Sequence, residues 1–137
     1  MIRRVFSIDR NTMMDCFYIV NQFMDAHNAI SWECLQRRVQ FEQAIMFVAE
    51  KENGYLKGFL VGSVKQNVAL IDNLFIDRQF QRSGVGTALM IAYENFVRRY
   101  GAKQIVLQSR PTKQAVDFYQ KNGFVKINLE YYMQKSL

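Results

Sequence analysis

Gln81-Arg82-Ser83-Gly84-Val85-Gly86-Thr87 is the stretch that decides the fold of this chain. It follows the apolar Leu74-Phe75-Ile76 and leads into Thr87–Tyr100, where Ala88, Ala92, Phe96 and Tyr100 recur at helical spacing and Gly101 supplies a stop. A helix start leaves about four backbone N–H groups unpaired at the positive end of its dipole. Glycines let the backbone approach a phosphate and Arg82 adds a charge, so the stretch can hold an anion. Taken alone, G-x-G is more often an ordinary strand-to-helix turn. Two better-defined phosphate motifs are excluded. No Lys follows either glycine, as a P-loop needs, and Leu89 stands where a dinucleotide fingerprint needs a third small residue. What remains is Q-x-x-G-x-G between an apolar strand and an amphipathic helix.

Upstream, Val68–Ile76 reads as a strand joined through Gln66-Asn67 to a strand Tyr55–Lys65. Asn53-Gly54 joins that strand to the apolar run Ala44–Glu50. Three strands so closely linked predict an antiparallel meander, with Gly58 and Gly62 marking bulges or close backbone approach. Earlier still, Ile2–Ser7 can be a short strand. Thr12 reads as an N-cap with Asp15 three residues on, and Met13, Phe17, Val20, Met24 and His27 predict an amphipathic helix from Thr12 to about His27. Ser31 can cap a second helix through Leu35 and Val39. Downstream, Gln104–Ser109 is a strand, Arg110-Pro111-Thr112 opens a helix to Lys121, and Asn122-Gly123 closes it. Phe124 to Met133 has room for one or two final strands. The order β-α-α-β-β-β-α-β-α-β predicts a mixed α/β fold. No repeat or interdomain linker interrupts it, so residues 1–137 read as one domain.

Composition narrows the function classes. The chain has 137 residues, 50% of them apolar, 18 Lys plus Arg against 12 Asp plus Glu, and a formal charge of +6. It is too apolar and too aromatic for disorder. Cys16 and Cys34 make neither a disulfide framework nor a zinc site and suit a reducing compartment. No apolar run approaches the roughly 20 residues a membrane helix needs, and no signal-peptide core develops after Arg3-Arg4, so a cytoplasmic protein with no membrane partner is expected. Residues 1–77 carry eight basic and nine acidic groups, and residues 78–137 carry ten and three. The whole basic excess therefore lies after residue 77. It marks either solvated helix faces or an anionic ligand held by that half.

A second block joins the first. Ala115-Val116-Asp117-Phe118-Tyr119-Gln120-Lys121-Asn122-Gly123-Phe124 has the pattern A-x-x-x-Y-x-x-x-G-F. With Leu74-Phe75-Ile76 and Q-x-x-G-x-G before it, the chain resembles the GNAT superfamily of N-acetyltransferases, specifically over residues 69–124 and in element order over the rest. The resemblance implies a GNAT-like acyl-CoA N-acyltransferase fold of minimal length. Its mixed sheet is splayed between Val68–Ile76 and Gln104–Ser109, and four helices flank it. It implies acetyl-CoA as co-substrate and no metal. The backbone of Leu74 and Ile76, with Phe75 between them, would pair with the pantetheine arm as an added strand pairs with a sheet edge. Gln81, Arg82, Ser83, Gly84, Val85, Gly86 and Thr87 would hold the pyrophosphate, with Arg78, Lys113 and Lys121 near the other phosphates. Thr112 stands where the family often has an Asn that touches the pantetheine arm, and a helix N-cap explains it as well.

The implied reaction passes an acetyl group to a primary amine through a tetrahedral intermediate. A lysine-like amine is mostly protonated at pH 7, and neutralising it costs roughly 4–5 kcal/mol. Asp72, on the third meander strand, is the candidate base, alone or through an ordered water, although a bulge or solvent-facing Asp explains it too. Glu33 and Glu130 are weaker candidates. A backbone N–H near Phe75–Ile76 would meet the oxyanion. Tyr119 resembles the family's general acid toward the CoA thiolate, and a core aromatic beside Phe118 and Phe124 is its other meaning. The acceptor cleft would draw on His27, Trp32, Glu33, Tyr131 and Tyr132, where aromatics beside a carboxylate suit a cationic amine. A covalent acetyl-cysteine is disfavoured. The acceptor, a small molecule or a protein, is not legible, and a homodimer is left open. Two other classes remain: a non-catalytic CoA-binding module of the same fold, and a basic nucleic-acid-binding domain. The second is disfavoured because the basic residues are scattered over several elements.

Overall fold

A computed structural model describes residues 1–23, 32–127 and 131–137, with the backbone alone at Trp32. Met24, His27, Ser31 and Glu130 lie outside the described residues. The strands are β1 (Ile2–Val5), β2 (Ile45–Glu50), β3 (Leu56–Lys65), β4 (Val68–Ile76), β5 (Gln104–Gln108), β6 (Val125–Lys126) and β7 (Tyr132–Ser136). The helices are α1 (Arg10–Val20), α2 (Trp32–Phe41), α3 (Val85–Arg99) and α4 (Lys113–Lys121). The strands form one sheet in the order β1-β2-β3-β4-β5-β7-β6. The meander β2-β3-β4 is antiparallel as its short turns dictate. The crossover through α3 makes β5 parallel to β4, and β7 inserts antiparallel between β5 and β6.

Both faces of the central strands are covered, which is why β2 and β3 read as nearly continuous apolar runs. Ile45, Phe47 and Leu60 point to one core with Leu89, Met90, Tyr93 and Val97 of α3. The alternate residues Met46, Val48, Phe59 and Val61 point to the other, with Cys16 and Ile19 of α1 and Leu35 and Val39 of α2.

Two helices start earlier and turn differently from the sequence expectation. Asp9, not Thr12, caps α1; its carboxylate accepts the Thr12 N–H at 2.7 Å. The buried face of α1 is Thr12, Cys16, Ile19 and Val20, while Phe17 is 40% exposed. Thr12 and Cys16, polar or small, share that face with Ile19 and Val20, so of the expected stripe only Val20 is buried in α1. The regular helix stops at Val20, where Gln22 and Phe23 donate to Ile19 and Val20 in tighter turns. In α3 the start is Val85, not Thr87, and the buried face runs through Leu89, Met90, Tyr93 and Val97. Tyr100, expected inside, is exposed and stacks on Phe96 at 5.0 Å. Among the described residues, no helix is long and apolar enough to cross a membrane.

Candidate active site

The β4–β5 ladder runs only from Val68–Gln104 to Ile71–Leu107. Beyond Ile71 the two strands part, and β4 continues to Ile76 on β3 alone. The parting starts at a bulge: Val61 faces Asn73 and Gly62 faces Ile71, so Asp72 is the extra residue. Past the bulge the alternation is regular. Asp77 N–H donates to Lys57 O at 2.8 Å, which assigns the polar backbone of residues 75 and 73 to β3 and turns that of Leu74 and Ile76 toward the wedge. Phe75 therefore offers the wedge its ring and not its backbone, unlike its expected place in a backbone contact. Gln81 Nε2 reaches the Ile76 carbonyl at 3.4 Å.

Between β4 and α3 the chain makes a short 3-10 turn, Arg78–Phe80, capped by the buried Asp77, whose carboxylate accepts the Gln79 N–H at 3.0 Å. Arg82 and Gly84 both have positive φ, +65° and +87°. Gly84 is the N-cap of α3, has no side-chain cap, and would meet nothing within 4 Å if it carried a Cβ, so no side chain caps the start of α3 where Gly84, Gly86 and Thr87 line the cleft. Gly86 has a different reason: a Cβ there would lie 3.0 Å from the Phe118 ring of α4. The second glycine of the first block thus packs against the second block. Gln114 Nε2 donates to Gln81 Oε1 at 3.2 Å across the same gap.

α4 closes the cleft. Thr112 caps it, accepting the Ala115 N–H at 3.2 Å, and its side chain also lines the cleft. At the other end Phe124 N–H donates to Tyr119 O at 3.0 Å and Gly123 N–H to Gln120 O at 3.1 Å, a Schellman ending with Gly123 at φ +92°. Its hydrophobic contact is Tyr119 on Phe124, ring centroids 5.7 Å apart. The spacing Y-x-x-x-G-F is therefore the geometry of a helix end. Burial pushes the Tyr119 phenol up to about 12, against a smaller downward pull from the Arg110 guanidinium. The wedge, the loop and α4 enclose one open cleft of about 1430 Å³, into which Asp72, Leu74, Ile76, Gly84 and Tyr119 all face.

A family model for the acetyltransferase (GNAT) domain matches residues 18–136. The chain belongs to the GNAT acetyltransferase family. Its fold is shared with solved GNAT structures of low identity. PaiA N-acetyltransferase from Thermoplasma acidophilum, solved in complex with coenzyme A, is 18% identical, with a TM-score of 0.79 over 100% of this chain and 99% of that one. Ard1 from Thermoplasma volcanium is 22% identical, with a TM-score of 0.78 over 100% and 97%. An aminoglycoside acetyltransferase from an uncultured soil metagenomic sample, in complex with trehalose, is 24% identical, with a TM-score of 0.76 over 96% and 94%. A search of curated protein sequences gives no significant match.

Within this GNAT cleft the sequence-derived residues divide. Gln81, Arg82, Gly84, Gly86 and Thr87 line it. Ser83 and Val85 do not: the Ser83 hydroxyl donates to Phe80 O and Val85 packs in the α3 core. Asp72 lines the cleft and its Oδ2 is 2.6 Å from Arg38 Nη2 of α2. Glu33 is exposed in the first turn of α2 and does not line the cleft. Tyr131 is half-exposed and also outside it, and its carbonyl accepts the Ser109 N–H at 2.8 Å. Lys121 faces the cleft, whereas Lys113 is exposed and paired with Asp117 at 3.2 Å. Burial pushes the Cys16 thiol far up, so that sulfur is not a nucleophile. No group of three or more His, Cys, Asp or Glu that could hold a metal occurs among the described residues.

Three further features shape the cleft, one of them, Gly62, already marked in the sequence as a bulge or close-approach glycine. Tyr93 of α3, fully buried, donates its hydroxyl to Leu70 O and lies 3.3 Å from Ser63 O, directly behind the bulge. Gly62 makes room for it, since a Cβ there would fall well inside 3.0 Å of both Leu70 O and the Tyr93 hydroxyl. The flag for Gly62 was its place in a strand; nothing flagged Tyr93. The third feature is an arginine pair, Arg78 and Arg110, on the ring of Phe23.

Proposed function

We propose that residues 1–137 act as one domain that transfers the acetyl group of acetyl-CoA to a primary amine. The observation that carries the proposal is the convergence of the unpaired β4 edge, the uncapped start of α3 and Tyr119 on one cleft. The residues fit the co-substrate. Leu74 and Ile76 have outward backbone groups for an extended amide-bearing arm. The N–H groups beyond Gly84, with Arg82 and Lys121, suit its phosphates. Acetyl-CoA supplies the activated thioester.

Asp72 holds the incoming amine, or the water that takes its proton, at the point where β4 leaves β5. Its pairing with Arg38 fixes the carboxylate and leaves its second oxygen to accept. The outward N–H of Ile76 or Leu74 receives the oxyanion as nitrogen attacks the carbonyl carbon. Tyr119 stands ready for the sulfur as the C–S bond breaks. With its phenol at about 12 and an ordinary thiol near 8.5, full proton transfer from Tyr119 is uphill by roughly 5 kcal/mol. Tyr119 therefore stabilises the leaving sulfur by a hydrogen bond and keeps its proton. Thr112, its oxygen accepting from Ala115, still has a hydroxyl proton to donate to the arm.

The test is thermal stabilisation by acetyl-CoA followed by thiol release with a panel of amines. Stabilisation and release, both reduced in Tyr119→Phe and Asp72→Asn, are expected. Stabilisation without release from any amine would instead indicate a binding module, and neither would end the proposal.

A further inference from the structure

We infer that the acceptor is a small amine that itself carries a carboxylate, held by Arg78 and Arg110; this rests on the transferase reading above. Phe23 follows α1, Arg78 follows β4 and Arg110 follows β5, and the three meet at the cleft mouth. The Arg78 guanidinium lies 5.2 Å from the Phe23 ring centroid and that of Arg110 lies 4.7 Å from it. Arg110 also covers Phe75 at 5.3 Å, and the two rings are 5.9 Å apart. Two cations thus converge on one aromatic ring.

Of the two carboxylates among the described cleft residues, Asp72 pairs with Arg38 through one oxygen and Asp117 with Lys113. Among the described residues neither arginine lies within ion-pair distance of an acidic group; Arg78 Nη2 instead donates to Gln22 O at 2.7 Å. Gln22 Oε1 also accepts the Arg78 backbone N–H at 2.9 Å, so Gln22 holds both the backbone and the guanidinium of Arg78. Cation–π attraction orients both guanidiniums but leaves N–H groups for an anion, and the guanidinium fork matches a carboxylate.

The side of the sheet separates this pair from the expected phosphate contacts. Phe75 belongs to the α1/α2 core and Phe23 packs on it, whereas Leu74, Ile76, Phe118 and Tyr119 pack on the α3/α4 core. The glycine loop opens at the start of α3. Arg78 and Arg110 reach the wedge from the other side, where an acceptor can meet a thioester laid along β4. Arg110 and Tyr119 line the same cleft, so a carboxylate on Arg110 shares that cleft with the leaving sulfur. This favours one small molecule with amine and carboxylate a few bonds apart.

The experiment compares thiol release, at saturating acetyl-CoA, for free L-amino acids and β-alanine against the corresponding amides. A tetrapeptide with an acidic second residue tests the other source of a carboxylate. The expected result is a 10- to 100-fold higher kcat/KM for free acids than for amides, the range of one charge-assisted hydrogen-bonding group. That ratio should fall toward one in Arg110→Gln and Arg78→Gln. Equal use of acids and amides would overturn the inference, as would preference for the peptide over free acids. So would an intact ratio in both variants with a raised KM for acetyl-CoA. The comparison in the unaltered protein decides even where a variant does not fold. Turnover of uncharged amines alone defeats only this inference; absence of acetyl-CoA stabilisation defeats the transferase reading as well.

Discussion

Replacing Gly62 by Ala tests whether the wedge is held open from behind. The new Cβ would fall well inside 3.0 Å of the Leu70 carbonyl oxygen and the Tyr93 hydroxyl, and 2.7 Å from the Tyr93 ring. A flexible side chain could give way, but the carbonyl is backbone in the β3–β4 ladder beside the bulge, and Tyr93 is fully buried. Overpacking in a core costs typically 1–3 kcal/mol when side chains can shift. Here the strands themselves must separate, and Tyr93 loses its bond to Leu70 O, a further loss of about 1 kcal/mol. We therefore expect Gly62→Ala to destabilise by about 3 kcal/mol or more, a fall in Tm of roughly 10–15 °C for a chain of this size. Tyr93→Phe alone removes the hydroxyl that bonds Leu70 O, for about 1–3 kcal/mol. In the double variant the hydroxyl clash is gone but the carbonyl clash remains, so adding Ala to the Phe background should still cost about 2 kcal/mol. Urea denaturation of the four proteins measures the cycle. A Gly62→Ala protein within 0.5 kcal/mol of the original, or one fully rescued by Tyr93→Phe, would refute the account of the bulge.

Three other perturbations have definite signs. Lys135 joins β7 to Glu94 of α3 at 2.7 Å and to the Asn122 carbonyl at 2.6 Å in a mostly buried setting, so Lys135→Met should cost about 2–4 kcal/mol, and denaturation should show Lys135→Met with Glu94→Leu to be milder. Asp9→Ala should cost about 1 kcal/mol as a lost cap. The Thr12 N–H holds the Asp9 carboxyl below its ordinary range, so this contribution is present above about pH 4 and vanishes as pH falls through the lower folded value, which acid denaturation of both proteins would show. The raised Tyr119 phenol has the opposite sign: its stabilisation is full below about pH 10 and is lost as pH rises toward about 12, so Tyr119→Phe should unfold at higher alkaline pH than the original protein.

The legibility of the chain follows from where its information is local. Q-x-x-G-x-G and Y-x-x-x-G-F are local because a helix start and a helix end are local. Gly84 needs its φ, and Tyr119, Gly123 and Phe124 make one Schellman ending. The meander was legible from its short turns. Helix faces were less so. Leu89, Met90, Tyr93 and Val97 are as periodic as Ala88, Ala92, Phe96 and Tyr100, and only the sheet decides which row it buries. The acceptor side was least legible. Phe23, Arg78 and Arg110 are distant in sequence and become one feature only when the ends of α1, β4 and β5 meet. Glu33 and Tyr131 were expected there from family position, yet one faces solvent on α2 and the other offers its backbone to Ser109.

The basic excess after residue 77 gains a structure from this arrangement. Lys135 is spent on Glu94 and Lys113 on Asp117, while Arg98 and Arg99 close the last turn of α3, where cations oppose the helix dipole. Four of the rest line the cleft, and they divide by origin. Arg82 and Lys121 come from the glycine loop and α4, beside the unpaired N–H groups of α3. Arg78 and Arg110 come from the ends of β4 and β5 and lean on Phe23, across the sheet. A single anionic co-substrate accounts for the first pair. It does not reach the second, which leans on Phe23 on the α1/α2 side of the sheet, away from the start of α3. Charge of one sign on both sides of a splayed sheet is the arrangement expected when both reactants are anionic, one through its phosphates and the other through a carboxylate.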